Sequence, residues 1–130
     1  MTSRQLKHTE RLHITFPMFM SAVKRLEKKV LLSKRKYEGI YAIPRGGYIL
    51  GLCLSHRLKL PMVSYLKENV LIVDDICDTG ITLNQERYKK SDKVSIVTKN
   101  AGLDTCPDLL YGYCVANHIW VRFWWEVDDV

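Results

Sequence analysis

Residues Val70–Leu83 read VLIVDDICDTGITL, and the fold is decided there. Val70, Leu71, Ile72 and Val73 form an unbroken apolar run, the pattern of a strand buried on both faces of a parallel sheet. Two carboxylates, Asp74 and Asp75, follow where that strand is expected to end. Ile76 and Cys77 lead into a cluster rich in hydroxyls: Asp78, Thr79, Gly80, Ile81, Thr82. Beyond it Leu83, Glu86, Arg87 and Tyr88 are spaced as in a helix, which is predicted to run to about Lys90.

Strand, loop and helix start, in that order, describe a binding site. In an open α/β sheet, ligands sit just beyond the carboxyl ends of the strands. The first turn of a helix offers unpaired N–H groups and the positive end of the dipole, which suit a phosphate. Thr79 and Thr82 add hydroxyl donors, and Gly80, without a Cβ, lets the backbone approach a phosphate closely. Asp74 and Asp75 would repel that phosphate, so sugar hydroxyls or a divalent cation are their expected partners. The stretch reads as a site for a phosphorylated sugar.

The rest of the chain sets the bounds. Its 130 residues are expected to form one domain large enough for a real core. No apolar run approaches the about 20 residues of a membrane span, and the amino end, polar and basic to His13, does not read as a signal peptide. Cys53, Cys77, Cys106 and Cys114 show no C-x-x-C pairing and are expected to be reduced thiols in a cytoplasmic protein. The net charge of +6 suits either nucleic acid or a substrate with several phosphates. Much of it lies on Lys24, Arg25, Lys28, Lys29, Lys34, Arg35 and Lys36, expected to be a solvated helix face and the loop after it.

Working outward, Leu12–Thr15 is expected to be a short edge strand, and Pro17 suits the first turn of a helix. Met20, Val23, Leu26 and Val30 continue that helix to about Ser33. A strand is predicted at Ile40–Ile43, then the turn Pro44-Arg45-Gly46-Gly47, then a helix from about Tyr48 to Arg57. Strand, glycine-rich turn and helix repeat the phosphate-binding order. Short strands are expected at Pro61–Tyr65, Val94–Thr98 and Tyr111–Ala116, with a loop from Ala101 to Leu110. The tail is aromatic: Trp120, Phe123, Trp124, Trp125.

VLIVDDICDTGIT resembles the signature of the type I phosphoribosyltransferases: an apolar strand, two acidic residues, a short spacer and D-T-G-x-T. YAIPRGGYILG resembles the pyrophosphate loop of the purine-specific branch, above all the bacterial xanthine-guanine enzymes, whose loop reads S-R-G-G; here Pro44 replaces the serine. The resemblance implies that Arg45, Gly46 and Gly47 hold pyrophosphate and that the Pro44–Arg45 peptide is cis. VSIVTK resembles the segment whose lysine donates to the 6-oxo group of the base, which implies that role for Lys99. IWVRFWWE resembles the W-I-x-x-P-W-D hood of the xanthine-guanine enzymes, with Trp124 in place of proline. Trp120 is then implied to stack on the purine and the Val121 backbone to read its 2-position, while Phe123 and Trp125 are expected to pack.

The resemblance runs from about Phe16 to Glu126. It implies an α/β fold with a mainly parallel, five-stranded sheet flanked by helices, core about 16–116, and a small hood from about 1–15 and 117–130. The implied reaction moves 5-phosphoribosyl from its 1-pyrophosphate donor to a 6-oxopurine (guanine, xanthine or hypoxanthine). Asp74 and Asp75 would hold the 2- and 3-hydroxyls, Thr79, Gly80, Ile81 and Thr82 the 5-phosphate, and Asp78 the proton of purine N7. Mg²⁺ is the implied cofactor, with Asp75 and Glu126 as candidate ligands. The implied partners are the ribosyl donor, the base and further copies of the chain in a homodimer or homotetramer, not a membrane or nucleic acid.

The sequence departs from the family between the third strand and the central motif. A long mobile loop usually stands there; only Leu66, Lys67, Glu68 and Asn69 stand here. Four residues make a turn, not a lid, so the site is expected to admit water, with Tyr65 and Lys67 as substitutes that reach the pyrophosphate. A second class of protein also fits these residues: a regulator of the same fold that senses the donor and binds nucleic acid with its basic face. Within the enzyme class, a pyrimidine acceptor is the other alternative.

Overall fold

The computed structural model of the protein describes residues 10–127. The outer parts of the expected hood, 1–9 and 128–130, lie outside the described residues. In chain order the elements are β1 (Arg11–Ile14), α1 (Phe16–Leu32), β2 (Gly39–Ala42), α2 (Gly47–Leu58), β3 (Val70–Cys77), a 3₁₀ turn (Glu86–Tyr88), β4 (Lys93–Lys99), α3 (Asn100–Thr105), β5 (Leu110–Val115) and β6 (Trp120–Phe123).

The apolar run of β3 is buried throughout, and its alternate side chains enter two separate cores. Leu71 and Val73 face the larger one, with Ile40, Val94 and Ile96 from the neighbouring strands. There Phe19, Ala22, Val23, Leu26 and Val30 of α1 and Leu50 and Leu54 of α2 close over the sheet. The α1 residues recur every three or four positions, so one stripe of the helix meets the sheet. Thr15 starts the helix: its hydroxyl accepts from the Met18 N–H at 3.3 Å. Val70 and Ile72 face the smaller core, closed by Ile43, Leu83, Tyr88, Cys106 and Leu109. One face of the sheet thus carries two long helices, and the other carries turns, the 3₁₀ turn and a short helix.

The sheet has four parallel strands in the order β2-β3-β4-β5. The predicted fifth strand, Pro61–Tyr65, is reduced to one parallel bridge, Ile40 to Met62. That bridge lies on the outer side of β2, while β3 lies on its inner side. The chain therefore reverses direction across the sheet between β2 and β3, which makes their carboxyl ends the topological switch point. Beside the sheet, β1 and β6 pair in parallel as the two-stranded hood.

Three further expectations change. β3 does not end before the acids but continues to Cys77, paired to β4 through Ile76–Val97 and Cys77–Thr98. Part of the predicted loop 101–110 is helical, as α3. And no α-helix follows the central motif: residues 81–85 are turns, followed by the 3₁₀ turn. The reason is reach. Thr82 stands near the carboxyl edge and Lys93 opens β4, a seven-residue strand, so the return must span about 20 Å. The ten residues between would cover only about 15 Å as an α-helix.

On the other helix layer, α1 ties down β5. The Arg25 guanidinium donates to Gly112 O and the Lys29 ammonium to Tyr111 O, each at 2.9 Å. The same cations lie over the rings of Tyr113 and Tyr111. Arg35 pairs with Asp92 at 2.6 Å. Three of the seven clustered cations therefore already have partners within the fold.

Candidate active site

The switch point between β2 and β3 brings the two glycine loops against the acidic pair. The turn after β2 has a cis Pro44–Arg45 peptide, and Arg45 is exposed. A Cβ on Gly46 would overlap the Asp75 carboxylate, and one on Gly47 would lie 2.5 Å from Val73 O. Glycine at both places lets this loop lie directly on β3. α2 begins at Gly47, so the loop is also the amino end of a twelve-residue helix.

Asp74 is buried at 9% exposure, its Oδ1 accepting from the Asp75 N–H at 2.9 Å. Burial, and next the charge of Asp75, push its carboxyl up to about 7. Asp75 is half-buried, and its Oδ1 accepts from the Ile76 N–H at 2.8 Å. Two adjacent carboxyls held this way are short of hydrogen-bond donors, and sugar hydroxyls or a cation would supply what they lack.

Residues Asp74–Leu83 line a cleft of about 240 Å³. Within it the Thr79 hydroxyl accepts from the Ile81 N–H at 3.3 Å, and Gly80 has φ of +88°. Leu83 and Tyr88, each 1% exposed, anchor the segment that follows. The backbone angle alone demands glycine at position 80. A Cβ there would stand 2.5 Å from the Cβ of Thr105, so the steric demand comes from α3. Asp78, Thr79, Ile81 and Thr82 are all exposed.

Lys99 ends β4 beside this loop. Its side chain is 12% exposed, and its ammonium lies 3.3 Å from Oδ1 of Asp78, which is 61% exposed. The buried stem fixes the cation, and the pair opens outward. Trp120 and Val121 lie on β6; Trp120 is 52% exposed, and Val121 packs against the core. Phe123 and Trp125 stack on each other in the core at 4.7 Å between ring centroids. Trp124 packs edge-on against Phe16. Glu126 is exposed after the turn that follows β6. The Lys67 ammonium lies over the ring of Tyr65, 5.1 Å from its centroid.

The fold thus brings together Arg45–Gly47, in the turn after β2, with Asp74 and Asp75 within β3, and Asp78 with Lys99. Two residues without any sequence signal also reach the site. The Thr105 hydroxyl donates to Thr79 O at 2.8 Å. The Thr98 hydroxyl lies between two acceptors, Lys99 O at 3.0 Å and Cys77 O at 3.3 Å, where β4 meets the start of the loop.

A parallel sheet whose switch point sets an acidic strand end between two glycine loops is the arrangement of the type I phosphoribosyltransferases, and the chain has that fold. Its relatives among known proteins include purine enzymes of that class. A xanthine-guanine phosphoribosyltransferase of Idiomarina loihiensis is 25% identical over 74% of this chain and 75% of its own. The crystal structure of a purine phosphoribosyltransferase from Pyrococcus horikoshii superposes with a TM-score of 0.72 at 25% identity, over 94% of this chain and 98% of that one. A xanthine-guanine-hypoxanthine phosphoribosyltransferase of Helicobacter pylori shares the fold, with a TM-score of 0.70 at 21% identity over 90% and 93% of the two chains. No protein-family profile matches the chain. Among the described residues, no helix is long and apolar enough to cross a membrane.

Proposed function

We propose that the protein transfers 5-phosphoribosyl from 5-phosphoribosyl 1-pyrophosphate to a ring nitrogen of a 6-oxopurine, releasing pyrophosphate and the nucleoside 5′-monophosphate. The observation that carries this is the Lys99–Asp78 pair at 3.3 Å. A 6-oxopurine presents its carbonyl and N7 side by side on one edge. The ammonium can only donate and the carboxylate only accept. Lys99 therefore matches the carbonyl, and Asp78 matches a proton on N7, which it takes up as the glycosidic bond forms. Guanine, xanthine and hypoxanthine all present that edge. Trp120 offers a flat, exposed face for stacking, and the Val121 backbone is the candidate reader of position 2.

At the donor, Asp74 and Asp75 orient the ribose hydroxyls, and the turn Thr79–Thr82 takes the 5-phosphate. Arg45 and the N–H groups of Gly46 and Gly47 meet the leaving pyrophosphate at the start of α2, where the helix dipole favours its charge. The contact between Gly46 and the Asp75 carboxylate puts an acid beside that loop, which fits Mg²⁺ held by one or two carboxylates and by substrate phosphates. Asp75 would hold it, with Glu126 as a second candidate; when bound, it neutralises charge on the departing pyrophosphate.

The exposed Leu31, Leu32, Tyr48 and Leu52 support assembly into two or four copies. The four cysteines are free, which suits a reducing, cytoplasmic setting. The nucleic-acid regulator is less well supported, because Arg25, Lys29 and Arg35 are engaged within the fold. The test is pyrophosphate release, by a coupled assay, with guanine, xanthine, hypoxanthine, adenine, uracil and orotate. Turnover is expected with 6-oxopurines. Preference for adenine or a pyrimidine would overturn the acceptor assignment, and no turnover with any base would overturn the activity.

A further inference from the structure

We infer that Thr105, at the far end of α3 from Lys99, is a positioning residue for the donor-phosphate loop. The inference rests on the phosphoribosyl-transfer reading and adds a residue to it. The Thr105 hydroxyl donates to Thr79 O at 2.8 Å. Its Cβ fills the space where a side chain on Gly80 would stand, at 2.5 Å. The peptide that joins Thr79 to Gly80 is a rigid plane, with its C=O and N–H pointing opposite ways. Holding the carbonyl on Thr105 therefore fixes the direction of the Gly80 N–H away from α3. That N–H belongs to the turn that would receive the 5-phosphate.

The hydroxyl has one proton, and of its two acceptors Thr79 O at 2.8 Å is closer than Ala101 O, one turn back in α3, at 3.2 Å. No α-helix follows the loop, so its peptides are not held by a continuing helical ladder. Downstream, the Asn84 N–H returns to Gly80 O at 2.9 Å, which closes the turn but leaves the Thr79 carbonyl to Thr105. α3 is itself well fixed. The Ala101 N–H donates to Asn117 Oδ1 at 2.8 Å. A Cβ on Gly102 would stand 2.6 Å from Cys77 O and 2.8 Å from Thr98 Oγ1, so the helix lies directly on β3 and β4. α3 starts at the residue after Lys99 and ends on Thr105. One rigid turn and a half thus links the base-reading cation to the phosphate turn.

Thr105→Val keeps the shape and removes the hydroxyl; Thr105→Ser keeps the hydroxyl. Titration with 5-phosphoribosyl 1-pyrophosphate and with ribose 5-phosphate reads the phosphate turn, and titration with pyrophosphate alone reads the Arg45–Gly47 loop. For Thr105→Val, the Kd of both phosphoribosyl compounds is expected to rise roughly three- to tenfold, the worth of one neutral hydrogen bond. Pyrophosphate affinity, the acceptor KM and kcat at saturating donor are expected to stay at parent values, and Thr105→Ser to restore tight donor binding. Unchanged donor affinity in Thr105→Val, while the parent binds donor, overturns the positioning role alone. Equal weakening of donor, pyrophosphate and acceptor, with a lowered Tm, also overturns it, since that is general loosening. A parent that binds no donor overturns the phosphoribosyl reading and this inference with it.

Discussion

Behind Arg45–Gly47 stands α2, twelve residues long and packed into the larger core. Behind Thr79–Thr82 stand turns, a three-residue 3₁₀ turn and the side of α3. Both loops follow a parallel strand, and both contain glycine. The first draws its support from the helix it begins; the second draws it from a neighbouring segment of the chain. In the proposed reading both turns aim N–H groups at phosphate, the first from a helix of its own. The short return from β3 to β4 leaves no such helix behind the second, and the Thr105 contact stands in its place.

The largest expected effect separates chemistry from binding. Asp78→Asn should lower kcat by about 10²–10⁴-fold, the usual range for general acid–base help, while donor Kd stays close to the parent. Rapid-quench measurement of the chemical step is the check, and an unchanged rate there would remove Asp78 from the reaction.

The next compares the glycines. Gly80→Val forces a β-branched residue to positive φ and into Thr105, strain on the order of 1–3 kcal/mol. Donor Kd should rise roughly tenfold to a hundredfold. Gly46→Ala keeps an ordinary φ of −58° but pushes on the Asp75 carboxylate, so its loss should come without backbone strain and should include pyrophosphate as well as the donor. Calorimetric titration of both variants with donor and with pyrophosphate decides it; a loss of pyrophosphate binding in Gly80→Val equal to that in Gly46→Ala would mean that the two loops are not separate sites.

Lys99→Ala should narrow the preference for guanine and hypoxanthine over adenine by roughly ten- to a hundredfold, because an ammonium facing an amino group leaves donors unpaired. Trp120→Ala should weaken all three bases together, since stacking does not sense the 6-substituent. Ratios of kcat/KM across the three bases, unchanged in Lys99→Ala, would break the 6-oxopurine assignment.

The smallest effect is on stability. Asp74 titrates at about 7 in the folded protein against an ordinary 3.8. Between those values the folded chain holds a proton that the unfolded chain releases, so stability from this group falls as pH rises from about 4 to about 7. Without metal or donor, Asp74→Asn should raise Tm by a few degrees at about pH 8 and by less at about pH 5. Melting curves showing the same gap at both pH values would contradict the buried, proton-holding carboxyl.

The sequence by itself determined the core of β3, because a short apolar run followed by acids and a turn-rich loop reads as a strand covered on both faces, but not its end, since pairing with β4 carries the strand through the acids to Cys77. It also carried α1, whose apolar stripe and first-turn Pro17 are local features, and Lys99, which the end of β4 delivers to the same sheet edge; the Thr15 cap emerged only from the fold. It could not carry α3: six residues that include Gly102 and Asp104 have little helical preference, and the helix exists because Gly102 lies on Cys77. The missing helix after Thr82 was set by the distance from one sheet edge to the other, which no local pattern contains. The same holds for Asp78 beside Lys99 and Thr105 against Gly80, pairs separated by 21 and 25 residues in the chain. Periodicity reports how each segment meets its own neighbours in sequence. Only the packing of β4 and α3 against β3 decided which segment supports the Thr79–Thr82 turn, because that contact exists only once the sheet has closed.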